Sequence, residues 1–190
     1  MHRGKLSLII AAAAILVAFS TIIYTMHEMR ASNTGLPQPL AQLLQGKPRV
    51  INVVVEGAEG GRAPVEYTCD SPHPKPPVIR WNSVKGARAY AVIVLDPDAP
   101  LGTFIHLVAY DGVETRWPAP GYKLGLNSAG RIGWYPICPP RGDKPHHYYF
   151  VVIALKNPLG LDEGASLEQL LAAIDGGVVG YGYTVLVYKR

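Results

Sequence analysis

The sequence predicts a mostly β fold, built on an antiparallel sheet and preceded by one N-terminal transmembrane helix. Residues 6–26 contain no charged side chain, and a helix of ~20 apolar residues spans the hydrocarbon core of a bilayer. After residue 47, short apolar runs alternate with clusters of turn-forming residues, which is typical of antiparallel β domains. Only residues 166–174 show a convincing helical pattern in this part of the chain. We therefore expect many strands and few helices.

The composition agrees with a folded domain and excludes several classes of protein. Of the 190 residues, 48% are hydrophobic and 17% are charged, which excludes an intrinsically disordered chain. The 20 glycines and 17 prolines show no three-residue period, so the chain is not a collagen. The net charge is +4, but the basic residues form no cluster of the kind that contacts nucleic acid. We expect no nucleic-acid partner.

The N-terminal segment predicts where the domain resides. Arg3 and Lys5 precede the uncharged stretch, and positive charge at this end favours its retention in the cytoplasm. The expected organisation is a cytoplasmic N-terminus at 1–5, a membrane anchor at 6–26, a tether with one helical turn at 27–47, and a domain outside the cytoplasm at 48–190. A cleaved secretory signal is the alternative, because Ala18 and Ser20 form a weak cleavage site. The protein would then be secreted.

The apolar runs of the domain predict seven strands and one helix. The predicted strands are 50–55, 65–68, 78–81, 89–95, 103–111, 146–155 and 181–188. Proline-rich breaks at 71–77, 96–100 and 138–145 separate several of them. The helix, residues 166–174, has Ser166 as its expected cap, and Gly176 and Gly177 stop it.

The two cysteines, Cys69 and Cys138, both lie beside proline-rich loops. An oxidising compartment permits one disulfide, but two unpaired cysteines fit the sequence equally well. A zinc site of the cysteine type is disfavoured, because the chain lacks four closely spaced thiolate or imidazole ligands.

Two aspartates end the apolar strand 89–95. Asp96 and Asp98 are separated by a proline, which cannot continue a central strand, so the chain turns and the carboxylates lie at the rim of the sheet. An Asp-Pro-Asp sequence taken alone is usually only a turn. The pair becomes a candidate site only if other polar groups meet it.

A histidine lies within the next predicted strand. Strict alternation along 103–111 places four side chains on one face, Phe104, His106, Val108 and Tyr110. An imidazole among such apolar neighbours must be hydrogen-bonded or functional. Such a residue is most often a core histidine that donates to a backbone carbonyl.

A second histidine opens the strand 146–155. His146 shares its face with Tyr148, whereas His147 points the opposite way. If this strand meets the rim with the two aspartates, one pocket would hold two carboxylates and two imidazoles. Carboxylates favour the protonated imidazole, which is a good donor to a phosphate-like anion. Backbone N–H groups of the adjacent loops would add donors.

The order of these motifs resembles that of a known family. The matching elements, in chain order, are Ser71-Pro72 and Trp81, Asp-Pro-Asp-Ala-Pro at 96–100, His106, Gly125 to Asn127, Cys-Pro-Pro at 138–140, Gly-Asp-Lys-Pro-His at 142–146, Tyr148 and the final Tyr188-Lys189-Arg190. One such element would be weak, but the ordered set is specific. Over residues 48–190 the chain is similar to the phosphatidylethanolamine-binding protein family, in particular its bacterial and archaeal Raf kinase inhibitor-like branch.

The resemblance implies both a fold and a site. The implied fold is a large central antiparallel sheet packed on a smaller sheet, with few short helices. The implied site is a small anion pocket lined by Asp96, Asp98, His106, Pro139, Pro140, His146 and Tyr148. Relatives bind phosphate-type anions and phospholipid head groups, and some inhibit kinases or proteases. No catalytic cycle and no cofactor is implied.

Two departures from the family pattern affect the surroundings of this pocket. His147 stands where relatives usually have arginine, and we expect the change to affect an ion pair behind the site. Tyr135-Pro136-Ile137 replaces the usual Gly-Gly-Pro, which predicts a narrower and stiffer rim.

The sequence therefore predicts a membrane-tethered binding module rather than an enzyme. The aspartates would orient the histidines and contact a cationic part of the ligand, His106 and His146 would donate to the anion, and Tyr148 would supply a hydroxyl and a wall. One alternative is a metal-dependent hydrolase that uses the same aspartates and histidines as ligands. The other is a kinase or protease inhibitor that acts through the loops 71–77 and 138–145, independently of the pocket.

Overall fold

The computed structural model describes residues 35–174 and 176–190, which fall into two compact units with a boundary after Gly46. The described part of the first unit contains one short helix, α1 (Leu40–Leu43), in which the amide of Leu44 donates to the carbonyl of Leu40. The predicted anchor, residues 6–26, lies outside the described residues. Within the described ranges, no helix is long and apolar enough to cross a membrane.

The second unit, Lys47–Arg190, forms two antiparallel sheets. Its strands are β1 (Val53–Val55), β2 (Ile79–Trp81), β3 (Ala89–Asp96), β4 (Phe104–Gly112), β5 (Arg116–Trp117), β6 (Lys123–Leu124), β7 (His146–Leu155) and β8 (Val178–Tyr188), and its helix is α2 (Leu167–Ala173). The small sheet has the order β1-β2-β5, and the large sheet has the order β6-β4-β3-β7-β8. The mostly β fold with two sheets and few helices is confirmed.

The main hydrophobic core lies between the two sheets. The small sheet contributes Ile79, Trp81 and Trp117, and the large sheet contributes residues such as Val92 and Phe150, all of them buried. Strand β3 is buried along its whole length, so both of its faces are covered. This explains why its sequence is a continuous apolar run rather than an alternating one.

The predicted strand 65–68 is wrong, because Val65–Tyr67 forms a short 3₁₀ helix. The amide of Tyr67 donates to the carbonyl of Pro64, and the amide of Thr68 donates to the carbonyl of Val65. The hydroxyl of Thr68 donates to the same Val65 carbonyl. These local hydrogen bonds outweigh the β preference of the branched side chains. Strands β5 and β6 were not predicted, since two residues carry no periodic signal.

A β-bulge in β4 changes the direction of the His106 side chain. The register of β3 and β4 pairs Val94 with Leu107 and Leu95 with Ile105. His106 is therefore an extra residue without a partner on β3, and its ring lies beside Tyr148 in the layer between the sheets. The expectation that His106 shares a face with Val108 and Tyr110 was wrong, because the bulge interrupts the alternation.

Helix α2 agrees with its sequence signals. The hydroxyl of Ser166 accepts from the amide of Gln169 at 3.2 Å, and the side chain of Gln169 accepts from the amide of Ser166 at 2.8 Å. This reciprocal pair is a capping box, which satisfies two amides that the first turn leaves open. Beyond the helix, Gly176 adopts a φ of 64°, the left-handed conformation that ends many helices.

Candidate functional site

A cavity of about 230 Å³ lies at the edge of the large sheet where β3 ends and where β4 and β7 begin. Because β3 runs antiparallel to both neighbours, its last residue meets their first residues at one edge. The cavity is lined by Asp96, Ala99, Pro100, Phe104, His106, Tyr135, Cys138, Pro139, Pro140 and His146. A volume of this size holds several water molecules, and therefore also a small polar ligand.

Most of the predicted site residues meet at this cavity. Its lining includes Asp96, His106, Pro139, Pro140 and His146. The other two predicted residues, Asp98 and Tyr148, stand beside it. The lining residues that sequence reasoning missed are Ala99, Pro100, Phe104, Tyr135 and Cys138. Each is a near neighbour in sequence of a predicted residue or belongs to the altered segment 135–137, which is the signal that could have found them.

His146 lies between two carboxylates. Its Nδ1 atom is 2.7 Å from Oδ2 of Asp96, and its Nε2 atom is 3.2 Å from Oδ2 of Asp143. The side chains of His146 and Asp96 are only 1% and 4% exposed, whereas that of Asp143 is 36% exposed. Burial opposes the charged imidazole, but the two carboxylates outweigh it and raise the pKa of His146 above its usual value. Both ring protons are therefore directed at aspartates.

His106 has the opposite electrostatic character. Its Nδ1 atom is 2.9 Å from the backbone carbonyl of Tyr135, and because a carbonyl only accepts, Nδ1 carries the proton. The Nε2 atom is then an acceptor in the neutral ring. Burial lowers the pKa of His106 to about 4, despite the opposing effects of the Tyr135 carbonyl, the Asp96 charge and the Pro136 carbonyl. Near neutral pH, His106 offers the cavity a lone pair rather than a proton.

Asp98 directs its carboxylate away from the cavity. It accepts from Nζ of Lys144 at 2.7 Å, and from the Nδ1 and backbone amide of His147 at 2.7 and 3.0 Å. Although partial burial raises the pKa of Asp98, the hydrogen bonds from Lys144 and His147 hold it well below its usual range. His147 thus forms an ion pair behind the site. The backbone amide of Asp98 donates to Oδ1 of Asp96 at 2.8 Å, which orients that carboxylate toward His146.

Tyr148 forms a wall behind both imidazoles. It is fully buried, and its ring centroid lies 5.4 Å from that of His106 and 6.4 Å from that of His146. Burial and the nearby negative charge of Asp96 raise the pKa of Tyr148, so its hydroxyl stays neutral. Its hydroxyl is buried without a hydrogen-bond partner in the structure, and a ligand contact by Tyr148 stays a prediction.

The rim of the cavity is cross-linked. A disulfide joins Cys69 and Cys138, with the Cα atoms 5.3 Å apart, and resolves the alternatives that the sequence left open. Backbone hydrogen bonds between Ile137 and the segment 67–69 reinforce it. The altered segment, Tyr135 to Ile137, supplies both a lining side chain and the carbonyl that orients His106. This departure from the family pattern is therefore part of the site.

The donor groups of the described residues point at one another rather than at a common metal position. Within residues 35–174 and 176–190, no three side chains among histidine, cysteine, aspartate and glutamate are arranged to hold a metal ion. The carboxylate of Asp96 and the Nδ1 atom of His146 point at each other, rather than toward a common centre. The metal-ligand alternative thus has no geometric support in the described part of the chain.

Two solved structures resemble this fold. A Chlamydia trachomatis protein, CT736, named as a phosphatidylethanolamine-binding protein homologue, aligns with a TM-score of 0.67 and 30% sequence identity, and the match covers 75% of this chain and 99% of that one. YbcL from Escherichia coli, named as a member of the mammalian PEBP family, aligns with a TM-score of 0.65 and 25% sequence identity. The match covers 74% of this chain and 98% of YbcL.

Curated sequences agree with these structures. A UPF0098 protein from Aquifex aeolicus is 39% identical, over 69% of this chain and 83% of its own length. A UPF0098 protein from Pyrococcus abyssi is 37% identical, over 67% of this chain and 78% of its own length. A Mycobacterium tuberculosis protein named as a lipoprotein, LppC, is 35% identical over 62% of this chain and 61% of its own length.

The family model for phosphatidylethanolamine-binding proteins matches residues 55–189. This range contains both sheets except the first two residues of β1, and every residue of the cavity lining. Bacterial and archaeal relatives dominate the matches described above. The chain therefore belongs to the phosphatidylethanolamine-binding protein family, in its bacterial and archaeal branch.

Proposed function

We propose that this domain is a binding module whose cavity holds a phosphate-type anion, either a phospholipid head group or another phosphorylated ligand. Family membership indicates a binding or regulatory module in general. The observation that carries the finer proposal is the buried His146 at the cavity lining, with its two ring nitrogens 2.7 Å from Asp96 and 3.2 Å from Asp143. The two carboxylates offset the charge of an imidazolium at His146, so the proposal rests on the directional N–H donor of this ring rather than on a net positive charge, and hydrogen bonds from a charged donor are the stronger ones.

The two imidazoles bind the anion in different ways. His146 is the donor, through the Nε2 proton that Asp143 accepts in the unliganded arrangement. His106 presents Nε2 as an acceptor, so it contacts a protonated oxygen of the ligand. The sequence predicted that both histidines donate; the proposal assigns donation to His146 alone, and the Tyr135 carbonyl on one ring and the two carboxylates on the other support this assignment.

The rest of the lining makes the cavity rigid and selective for size. Phe104 and Tyr135 form an aromatic wall, and their centroids lie 5.4 Å apart. Pro139 and Pro140 form part of the opposite rim, and prolines lose little conformational freedom when a ligand binds. A cavity of about 230 Å³ is large enough for a phosphorylated head group.

The same proposal places the domain outside the cytoplasm, tethered by residues 6–26. The uncharged segment, the similarity to a protein named as a lipoprotein, and the disulfide all support this location, because structural disulfides persist in oxidising compartments. A kinase or protease partner would contact the loop 138–145, which the disulfide and the Lys144–Asp98 pair hold in one conformation.

Calorimetric titration of the 190-residue chain with inorganic phosphate and O-phosphoethanolamine tests the pocket. We expect saturable 1:1 binding that weakens by about tenfold or more in His106→Ala and His146→Ala. His73→Ala is the matched control, because His73 is exposed and lies in the loop 71–77, outside the cavity lining. Circular dichroism establishes that each variant is folded. No saturable heat with either anion, or equal affinity in all folded variants, would overturn the proposal.

A further inference from the structure

We infer that the cavity selects phosphate monoesters and inorganic phosphate over phosphodiesters. The inference rests on the proposed function and narrows its ligand class. It concerns two atoms of the unliganded site, Nε2 of His106 and Nε2 of His146, and what each requires of an incoming anion. The monoester and the diester of one head group differ at the phosphorus alone, so the difference can be measured directly.

The first requirement comes from His106. The Tyr135 carbonyl, 2.9 Å from Nδ1, holds the tautomer in which Nε2 is the acceptor. A ligand oxygen that contacts Nε2 must therefore bring a proton. A phosphate monoester keeps a P–OH group below its second pKa of about 6 and regains one readily near neutral pH. A phosphodiester has no P–OH group, and its oxygens repel the Nε2 lone pair.

Protonation of His106 by solvent would let a diester bind, but it costs free energy. Burial holds the pKa of His106 at about 4, below that of the free side chain. The charged groups that face it are Asp96, which favours the imidazolium, and His146, which opposes it. The neutral rings of Phe104 and Tyr148 pack on two other sides. A monoester supplies the proton itself, whereas a diester requires His106 to become charged in this surrounding.

The second requirement comes from Asp143, whose carboxylate already accepts from Nε2 of His146 in the unliganded site. Its Oδ2 atom is 3.2 Å from Nε2 of His146, and its side chain is partly exposed on the loop 138–145. A ligand must displace this carboxylate to reach the ring. The free energy of exchanging one anion for another at the same imidazolium is close to zero. The carboxylate also has the advantage of being tethered beside the ring, which raises its effective concentration. The net gain then depends on the second contact, at His106, which only a ligand with P–OH can make.

The geometry of phosphate fits both requirements together. A monoester has three terminal oxygens, so one can donate to His106 while another accepts from His146. A diester has two terminal oxygens and substituents on both sides, which must also fit between the prolines and the aromatic wall of a cavity of about 230 Å³. Asp143 and His106 thus act as specificity-determining residues, the first by competition and the second by its tautomer.

The test compares two ligands that share an ethanolamine group. The 190-residue chain is titrated calorimetrically at about pH 6 with O-phosphoethanolamine, inorganic phosphate and glycerophosphoethanolamine, which is the diester. We expect the monoester and phosphate to bind at least about tenfold more tightly than the diester, the cost of leaving a buried acceptor unpaired. Asp143→Asn should tighten the binding of all three ligands, because it removes the competing charge. Glu59→Gln, a loss of one exposed carboxylate outside the cavity lining, should change none of the affinities.

A second variant isolates the tautomer effect. His106→Gln places a group with N–H donors where the acceptor was, so the ratio of diester to monoester affinity should move toward one in the folded variant. Equal or tighter binding of the diester by the native chain, or an unchanged ratio in His106→Gln, would overturn the inference while leaving the anion pocket intact. Absence of binding by all three ligands would overturn the proposed function and this inference together.

Discussion

The Nδ1 atom of His146 lies 2.7 Å from the Oδ2 atom of Asp96, and both side chains are almost completely buried. The two residues are 50 positions apart in sequence. They meet because β3 ends at Asp96 and the antiparallel strand β7 begins at His146. Burying two charges is costly unless they are paired and hydrogen-bonded. The pair therefore orders this edge of the sheet and holds the His146 ring at the cavity lining.

Replacing Asp96 should destabilise the domain strongly. Asp96→Asn keeps the side-chain shape but removes the charge opposite His146, and breaking a buried pair from one side costs about 3–5 kcal/mol. Asp143→Asn is the matched control, because it removes the other carboxylate of the same histidine at a partly exposed position. We expect a much smaller loss there. Urea unfolding at pH 7 measures both, and equal losses in the two variants would contradict the central importance of the buried pair.

His106 should cause a loss of stability in mild acid. Its pKa is lowered on folding from 6.5 to about 4, so between these values the unfolded chain binds the extra proton and the folded chain does not. Stability therefore falls as the pH drops from about 6.5 to about 4, by roughly 3 kcal/mol in total. Urea unfolding at several pH values should show this slope in the native chain and a clearly smaller slope in folded His106→Gln, where only the carboxylates with lowered pKa values, such as Asp98, still contribute. An identical slope in both would contradict the buried neutral imidazole.

His146 should affect stability in the opposite direction. Its pKa is raised on folding from 6.5 by Asp96 and Asp143, so its contribution is fully present below the unfolded pKa. That contribution is lost as the pH rises above 6.5 and through the raised folded value. The pH dependence of Tm from 6 to 9, compared between the native chain and Asp143→Asn, measures it. We expect a weaker decline in the variant, and a steeper one would show that Asp143 does not raise the pKa of His146.

Reduction of the disulfide should weaken both the fold and the pocket rim. Cys69 and Cys138 are separated by 69 residues and are the two cysteines of the chain. Closing a loop of this length stabilises a domain by about 4 kcal/mol in the chain-entropy description. Unfolding with and without dithiothreitol, and of Cys69→Ser/Cys138→Ser, measures the effect. The unfolding free energy of the double variant should not change when dithiothreitol is added. A remaining change would show that the reductant acts on something other than this disulfide.

The Gly-x-Asn element should tolerate no side chain at its glycine. A Cβ atom at Gly125 would lie 2.3 Å from the carbonyl oxygen of Ala165 and 2.9 Å from Val108. Gly125→Ala must therefore displace the segment before α2, and we expect a loss of about 2 kcal/mol or more from overpacking. Gly130→Ala is the comparison, because its Cβ meets no atom within 4 Å, although its φ of 71° makes alanine somewhat strained. A smaller loss at Gly125 than at Gly130 would contradict this close packing.

The long strands and the helix were predictable because each carries a local pattern. Strand β7 has the predicted bounds, β3 extends one residue beyond its predicted end, and β4 is shifted by one residue at both ends. The segment 65–68 was wrong because Pro64 and the hydroxyl of Thr68 create local hydrogen bonds that β propensity does not reflect. The two-residue strands β5 and β6 exist through their partners, which single-chain periodicity cannot predict.

The polar residues of the candidate site were largely predictable from the sequence, but the positions of the protons on its histidines and half of the cavity lining were not. Motif order identified Asp96, His106 and His146, which the antiparallel register then brings to one cavity. The tautomer of His106 depends on the carbonyl of Tyr135, which is 29 residues away in a loop. The competition at His146 depends on how the loop folds back to bring Asp143 onto the ring. Such contacts are set by tertiary placement and leave no periodic trace in the sequence.

The most direct test of the account is nitrogen-15 NMR of the imidazole rings at about pH 7, before and after saturation with inorganic phosphate. Without phosphate, we predict His106 as the neutral ring protonated at Nδ1, and His146 as an imidazolium. With phosphate, the Nε2 resonance of His106 should move toward the protonated position and that of His146 should shift saturably, while exposed His73 stays unchanged. A neutral His146, a His106 protonated at Nε2 before phosphate is added, or no response of either ring to phosphate would contradict the account.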